Sequence, residues 1–275
     1  NVIKPTIDKL VNYHLKNGMT GFYVCGNTGE CVVLPNKTRK QMLEAVMESN
    51  NGRGAIVAHV GSGHIDDVYD LIDHANALKV DAIASLPPSL TNYYSMDEII
   101  EYYKIIAKRC KAPLYAYIKP GMSGDLYTFA KRLYEIENVA GIKMSIPDYY
   151  TFGRIKTIDN GKIKLINGPD ETMICGLIEG ADGAIGTTYN MLPKLANSIY
   201  KEFKNKNVKK ALDNQRKLNN VINVLIGGSI AEWKASLTVL GYDMGVAIEP
   251  QQTPSKERVK EIEKKLKEAN YFDLI

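Results

Sequence analysis

The chain is poor in the residues that build metal centres and disulfide frameworks, with four cysteines and four histidines in 275 residues. Cys25, Cys31, Cys110 and Cys175 are scattered and form no CxxC pair, which argues against a zinc ribbon and against a disulfide scaffold. Three of them lie in or beside apolar runs and read as small buried hydrophobes. Free thiols fit a reducing, cytoplasmic setting. His14, His59, His64 and His74 show neither HxH nor HExxH spacing, so no metal is expected. His59, inside a strand pattern, reads as a core residue. No apolar run reaches the length of a membrane span and no secretory pattern is visible, so no membrane partner is expected. The start at Asn1 is abrupt, and the natural chain is expected to extend upstream. Charge of one sign is also scarce. The net charge is +4, and the densest basic stretches, Lys201–Lys210 and Lys256–Lys267, interleave Glu or apolar residues at helical spacing. They read as solvated helix faces rather than a nucleic-acid surface.

What is present is a regular alternation. A hydrophobic fraction of 45% with 24% charged residues provides a sizeable core, and the length suits one large α/β domain. Short β-branched runs fall at 21–25, 55–60, 82–86, 114–118, 139–144, 163–166 and 183–186. Between them, 37–49, 65–78, 96–108, 126–136 and 172–179 carry apolar residues at three- and four-residue intervals. Continuously apolar strands separated by helices predict a parallel sheet buried on both faces. The fold expected is α/β, a TIM (β/α)8 barrel, with an eighth strand placed upstream of Asn1. No GxGxxG follows an early strand, so an open doubly wound sheet lacks support. After Thr188 the pattern is wholly helical. The division expected is a barrel over residues 1–205 and a C-terminal helical extension over 206–275.

One strand carries an anomaly: Val139-Ala-Gly-Ile-Lys143-Met-Ser145 sets a lysine in an apolar run. Burying an ammonium is costly unless it pairs or loses its proton. The deprotonated amine is a nucleophile able to form a Schiff base with a ketone. Moving a lysine from its ordinary value to about 7–8 corresponds to roughly 4 kcal/mol, and desolvation is the natural source. A structural lysine paired with an internal carboxylate is the competing reading. Barrel enzymes gather their chemistry at the C-terminal ends of strands. There stand Lys143, Tyr117, the turn Gly26-Asn-Thr-Gly-Glu30, Gly168-Pro-Asp-Glu171 and Gly186-Thr-Thr-Tyr-Asn190. Tyr117 can relay protons. Thr28, on its glycine-flanked turn, offers a hydroxyl and nearby N–H groups to a carboxylate. These residues together predict a lysine-dependent aldolase acting on a 2-keto acid.

Gly26-Asn-Thr-Gly-Glu30, Tyr117-Ile-Lys-Pro120 followed by Ser123-Gly124, and Gly141-Ile-Lys143 resemble the signature of the dihydrodipicolinate synthase/N-acetylneuraminate lyase family, in order and over nearly the whole chain. The resemblance implies a TIM barrel, a pyruvate Schiff base on Lys143, no cofactor, and a homotetramer built as a dimer of dimers. It implies that Asn27 and Thr28 bind the pyruvate carboxylate and that Tyr117 relays protons. Met122 stands where the family's lysine-precursor synthases commonly carry an arginine, which removes an anchor for a second carboxylate. Gly168-Pro-Asp170-Glu171 and the segment with Thr187 resemble the sialic-acid lyase subgroup, where an acidic pair and a hydroxyl receive the sugar-acid tail. Asp170 and Glu171 equally suit a helix N-terminus, and both roles can hold at once. Ser145 and Thr187 would add hydroxyl contacts, and Tyr93 is the candidate for a tyrosine donated across a subunit interface. Asn27 departs from the family's commoner serine or threonine. The activity implied is reversible cleavage of N-acetylneuraminate. The alternatives are another pyruvate-dependent lyase or synthase, such as one for 2-keto-3-deoxy sugar acids, and a non-catalytic sugar-acid binder.

Overall fold

The computed structural model describes residues 2–88, 94–122, 124–225 and 227–275. By its packing the chain divides into two compact units. One comprises Gly21–Glu44 and Ala55–Ile185, the other the segments 1–20, 45–54 and 186–275. The first holds all seven strands: β1 (Gly21–Val24), β2 (Ala55–His59), β3 (Ala82–Ala84), β4 (Leu114–Ile118), β5 (Val139–Met144), β6 (Lys164–Asn167) and β7 (Gly183–Ala184). They form one sheet in sequential order, every pair parallel. Helices α3 (Ile65–Leu78), α4 (Met96–Arg109), α5 (Leu126–Tyr134), α6 (Tyr149–Lys156) and α7 (Met173–Ile178) follow successive strands, and α2 (Asn36–Asn50) begins here after β1. This is the α/β, TIM-barrel class.

Register and alternation separate two faces. Val24, Ile56, Ala58, Ile83, Leu114, Ala116, Ile118, Ile142, Met144 and Leu165 are buried and share the helix-covered face. The opposite face is the unusual one. Its register rows read His59, Ala84, Tyr115, Gly141, Lys164 and then Tyr117, Lys143, Ile166, Gly183. Two-residue alternation places all of these on one side of the pleat. Aromatic, small and charged residues thus occupy the face where the chemistry was expected, while the aliphatic core lies behind it.

Several helices begin where the sequence offers caps. Ser95 and Glu98 form a reciprocal capping box on α4, and Asp125 accepts the Thr128 N–H at the start of α5, satisfying N–H groups that the first turn cannot pair. The crossover after β5 carries α6, a helix for which the periodicity gave no expectation. It is short, carries Gly153 in its interior, and buries only Phe152 and Ile155. Asp148, accepting from Thr151 N–H at 3.0 Å, starts it.

The second unit is helical: α1 (Lys4–Lys16), the end of α2, α8 (Pro193–Lys204), α9 (Val208–Leu225), α10 (Ile230–Val239) and α11 (Lys256–Glu268). Asn214 donates from α9 to Ser198 of α8 at 2.8 Å, and the buried Tyr271 hydroxyl donates to the Met191 carbonyl at 2.9 Å. No helix among the described residues is long and apolar enough to cross a membrane.

Candidate active site

The site is built on the last residues of β4 and β5. Tyr117 and Lys143 are register partners, so their side chains leave adjacent strands at the same height. The Lys143 ammonium lies 4.8 Å from the Tyr117 ring centre and 5.0 Å from that of Tyr23 on β1. Burial pushes the Lys143 amine down to about 8, and the nearby Asp170 carboxylate works in the opposite direction without cancelling it. A lysine at that value carries a usable neutral fraction near neutral pH. The two aromatic faces attract the remaining cation without supplying a formal counter-charge.

Tyr117 is buried, and its hydroxyl shares a 2.8 Å hydrogen bond with the Ser145 hydroxyl. Burial raises its phenol, against the pull of that bond, so it remains a neutral group able to give one proton while receiving another. Ser145 is itself fixed by donation from its backbone N–H to the Ile118 carbonyl at 2.9 Å. The Gly168 N–H donates to the Met144 carbonyl at 2.8 Å, which draws the loop after β6 against the end of β5. A Cβ at Gly168 would collide with the Ser145 hydroxyl and with Met144 backbone. Glycine is therefore dictated here by lack of room.

Asp170 is buried in the 3₁₀ turn Asp170–Thr172, while Glu171 is exposed. The turn is braced from below by Asn167, whose amide donates to the Pro169 carbonyl at 2.8 Å and accepts from the Tyr149 hydroxyl at 3.0 Å. The Asp170 carboxylate acts electrostatically on both Lys143 and Tyr117.

The turn after β1 is bounded by two residues with left-handed backbone, Cys25 (φ 58°) and Glu30 (φ 57°). Such conformations cost non-glycine residues about 1–3 kcal/mol and persist only where the surroundings impose them. Here Glu30 N–H donates to the Asn27 carbonyl at 3.0 Å and Cys31 N–H to the Gly26 carbonyl at 3.3 Å. Asn27 is exposed and Thr28 half-buried at the tip. The start of this turn rests on the aromatic neighbour of Lys143, since a Cβ at Gly26 would meet Tyr23 Cε1 at 2.7 Å. Thr187 lies in the other unit, half-buried, its carbonyl accepting from the Asn190 N–H at 3.2 Å. Tyr93 lies outside the described residues.

Several neighbours were not anticipated. Tyr23 touches Lys143, and its buried hydroxyl has no hydrogen-bond partner among the described residues. Alternation along Gly21–Val24 would have placed it on the inner face. His59 has its ring beside Tyr23, with centroids 5.8 Å apart, and accepts the Leu86 N–H at 3.0 Å through Nε2. Burial, then the charges of Arg39 and Lys143, hold it well below the usual histidine value. Arg39 is buried too and donates to the His59 and Gly61 carbonyls at 2.7 and 2.9 Å. No sequence signal marks that contact, because it joins a helix to the end of β2 and the loop that follows. Among the described residues no three His, Cys, Asp or Glu side chains cluster as a metal site would require.

Comparison with known proteins agrees with this geometry. A model of the dihydrodipicolinate synthetase family matches residues 1–269. The chain is 30% identical over 279 residues to the N-acetylneuraminate lyase of Rattus norvegicus, spanning 98% of this chain and 87% of that protein. It is 30% identical over 262 residues to the N-acetylneuraminate lyase of Lactiplantibacillus plantarum, spanning 94% and 89%. Among solved structures it is similar to the N-acetylneuraminate lyase of Proteus mirabilis, with a TM-score of 0.91, 29% identity, and coverage of 98% of this chain and 94% of that one. Sequence, sheet and strand-end lysine point the same way: the chain belongs to the dihydrodipicolinate synthetase family.

Proposed function

We propose that this protein is a class I, Schiff-base aldolase that reversibly cleaves N-acetylneuraminate to pyruvate and N-acetylmannosamine. The observation that carries the chemistry is Lys143, with its amine lowered to about 8 by burial and set level with the Tyr117 phenol. The substrate assignment is supported by the likeness to N-acetylneuraminate lyases over nearly the full chain.

In the cleavage direction the neutral Lys143 amine adds to the keto carbon of the open-chain sugar acid. The resulting carbinolamine takes up a proton from solvent on its hydroxyl and loses water, giving a protonated imine. The C4 hydroxyl proton passes to the Tyr117 oxygen as the phenol gives its own proton to the substrate carboxylate. The C3–C4 bond breaks, its electron pair enters the imine as an enamine, and the aldehyde departs. Protonation at C3 and hydrolysis then free pyruvate and the lysine. Ser145 holds the phenol, Asn27 and Thr28 receive the carboxylate, and Asp170, Glu171 and Gly168 receive the polyol tail. No cofactor enters these steps. Tyr93 is assigned to a partner subunit's site within a cytoplasmic homotetramer, an assembly that sedimentation would measure.

Borohydride trapping with pyruvate, read by peptide mass spectrometry, tests this directly. The expected result is an irreversible pyruvate-derived mass on Lys143, together with pyruvate release from N-acetylneuraminate. Folded protein that forms no adduct would overturn the proposal in favour of a non-catalytic binder.

A further inference from the structure

Tyr103, a helix residue that the mechanism above does not use, occupies a place in the sheet. In the parallel β3–β4 ladder, Ser85 N–H donates to the Tyr115 carbonyl at 3.2 Å. The next bond of such a ladder would run from Tyr117 N–H to the Ser85 carbonyl. That direct bond is replaced. Tyr117 N–H donates instead to the Tyr103 hydroxyl at 3.1 Å, and that hydroxyl donates to the Ser85 carbonyl at 2.8 Å. One phenolic oxygen from α4 therefore sits between the two strands where β3 has ended and β4 continues to Tyr117.

Tyr103 is fully buried, and burial raises its phenol far above the ordinary value, so it keeps the proton that it donates. Its neighbour Tyr102 packs edge-on against it at 5.3 Å and bonds the Ser85 side chain, not the Ser85 carbonyl, at 2.6 Å. A buried N–H and a buried carbonyl that lost this hydroxyl would have to close on each other or remain unpaired. Closing would draw the end of β4 toward β3 by the width of an oxygen atom. The Tyr117 phenol would move relative to Ser145 and Lys143.

We infer that Tyr103 is a positioning residue for the proton relay: its hydroxyl, inserted between Ser85 and Tyr117, sets where the Tyr117 phenol stands. The inference rests on the aldolase reading above. It predicts a selective defect, because imine formation depends on Lys143 on β5, whereas carbon–carbon cleavage depends on the reach of Tyr117. Displacing a relay by an ångström costs about 10- to 100-fold in rate.

The experiment compares wild type, Tyr103→Phe, Tyr117→Phe and the double variant in two assays: borohydride trapping with pyruvate and cleavage of N-acetylneuraminate. Tyr103→Phe removes one oxygen and keeps the ring that fills the core. The expected result is near-normal trapping with kcat for cleavage down about 10- to 100-fold, and no comparable further loss when Tyr103→Phe is added to Tyr117→Phe. Tyr102→Phe, on the same helix and also buried, should keep both activities. Equal cleavage by Tyr103→Phe and wild type, additive losses in the double variant, or an equal cleavage defect in Tyr102→Phe would each overturn the inference. Failure of the wild type to trap pyruvate would instead strike the aldolase reading itself.

Discussion

Lys143 and Lys164 stand on neighbouring strands and on the same face. Lys164 is level with Gly141, one layer or about 7 Å below Lys143. Their surroundings are opposite. Lys164 is more than half exposed and pairs with Asp182 at 3.3 Å. Asp182 also takes Lys156 at 2.7 Å and the Leu165 N–H at 2.9 Å, so the N-terminal end of the sheet completes its polar bonds within the chain. At the C-terminal end, Lys143 meets aromatic faces, and the Tyr23 hydroxyl has no described partner. One end of the same strand pair closes its charges in ion pairs, and the other leaves an amine among aromatic rings. A lysine's role here is decided by which end of the strand it occupies.

Replacing Lys143 with Met should break the contrast most severely. Turnover and pyruvate trapping should vanish while the protein gains stability at pH 7. The sign follows from linkage: the unfolded lysine holds its proton to about 10.5 whereas the folded one releases it near 8. The wild type therefore gains stability as pH rises across that window, and the variant does not. Melting curves at pH 7 and pH 10 should show the difference shrinking. Equal melting of both proteins at each pH would deny that Lys143 is held against its charge.

Asp182→Ala attacks the other end. It leaves Leu165 N–H unpaired and two lysines without their carboxylate, at a cost of about 1–3 kcal/mol. Denaturant midpoints should fall while kcat per folded molecule stays unchanged. Although burial opposes ionisation, the Lys156 bond and the Leu165 N–H hold the Asp182 carboxyl below its ordinary value. Its contribution is thus present above the unfolded carboxyl value and fades as pH falls through the folded one.

Asp170→Asn sharpens the contrast in a subtler way. The Asp170 charge raises the Lys143 amine, so its loss should shift the rise of the trapping rate toward lower pH, by up to about one unit. Sugar-acid binding should weaken more than pyruvate capture. An unmoved pH profile would remove Asp170 from the electrostatics of the lysine. Lys164→Met should do least, within about 0.5 kcal/mol of wild type by denaturation and with normal trapping.

Much of this was legible from residue order. Leu114–Ile118, Val139–Met144 and Ile65–Leu78 have the bounds that their patterns predict, because apolar periodicity and flanking turns act locally. Other strands stop early. The run 82–86 ends as a strand at Ala84, since the Tyr103 hydroxyl takes the place of the next ladder bond, an event no local pattern encodes. Lys143 stood out because a lysine in an apolar strand contradicts its setting, and the sheet sets Tyr117 level with it. Tyr103 and Arg39 escaped for the converse reason. Tyr103 sits in an Ile-Ile-Glu-Tyr-Tyr-Lys-Ile-Ile helix that reads as plain core, and Arg39 in a helix of mixed polarity, so their bonds to strand ends far along the chain are visible only in space. Ser145 was read as a substrate contact, and its hydrogen bond to the Tyr117 phenol exists only because β4 and β5 end side by side.

The crowding at Gly168 bears on how this scaffold can be re-engineered for other aldehydes. Any side chain there would push aside the hydroxyl that holds the Tyr117 phenol, so variation at this position would alter reactivity along with selectivity. Glu171 and Asn27 are exposed, so a larger side chain at either has solvent to enter. A library that randomises Glu171 and keeps Gly168 and Asn27 constant, since Asn27 receives the carboxylate that takes the Tyr117 proton, would search substrate range while leaving the proton path intact.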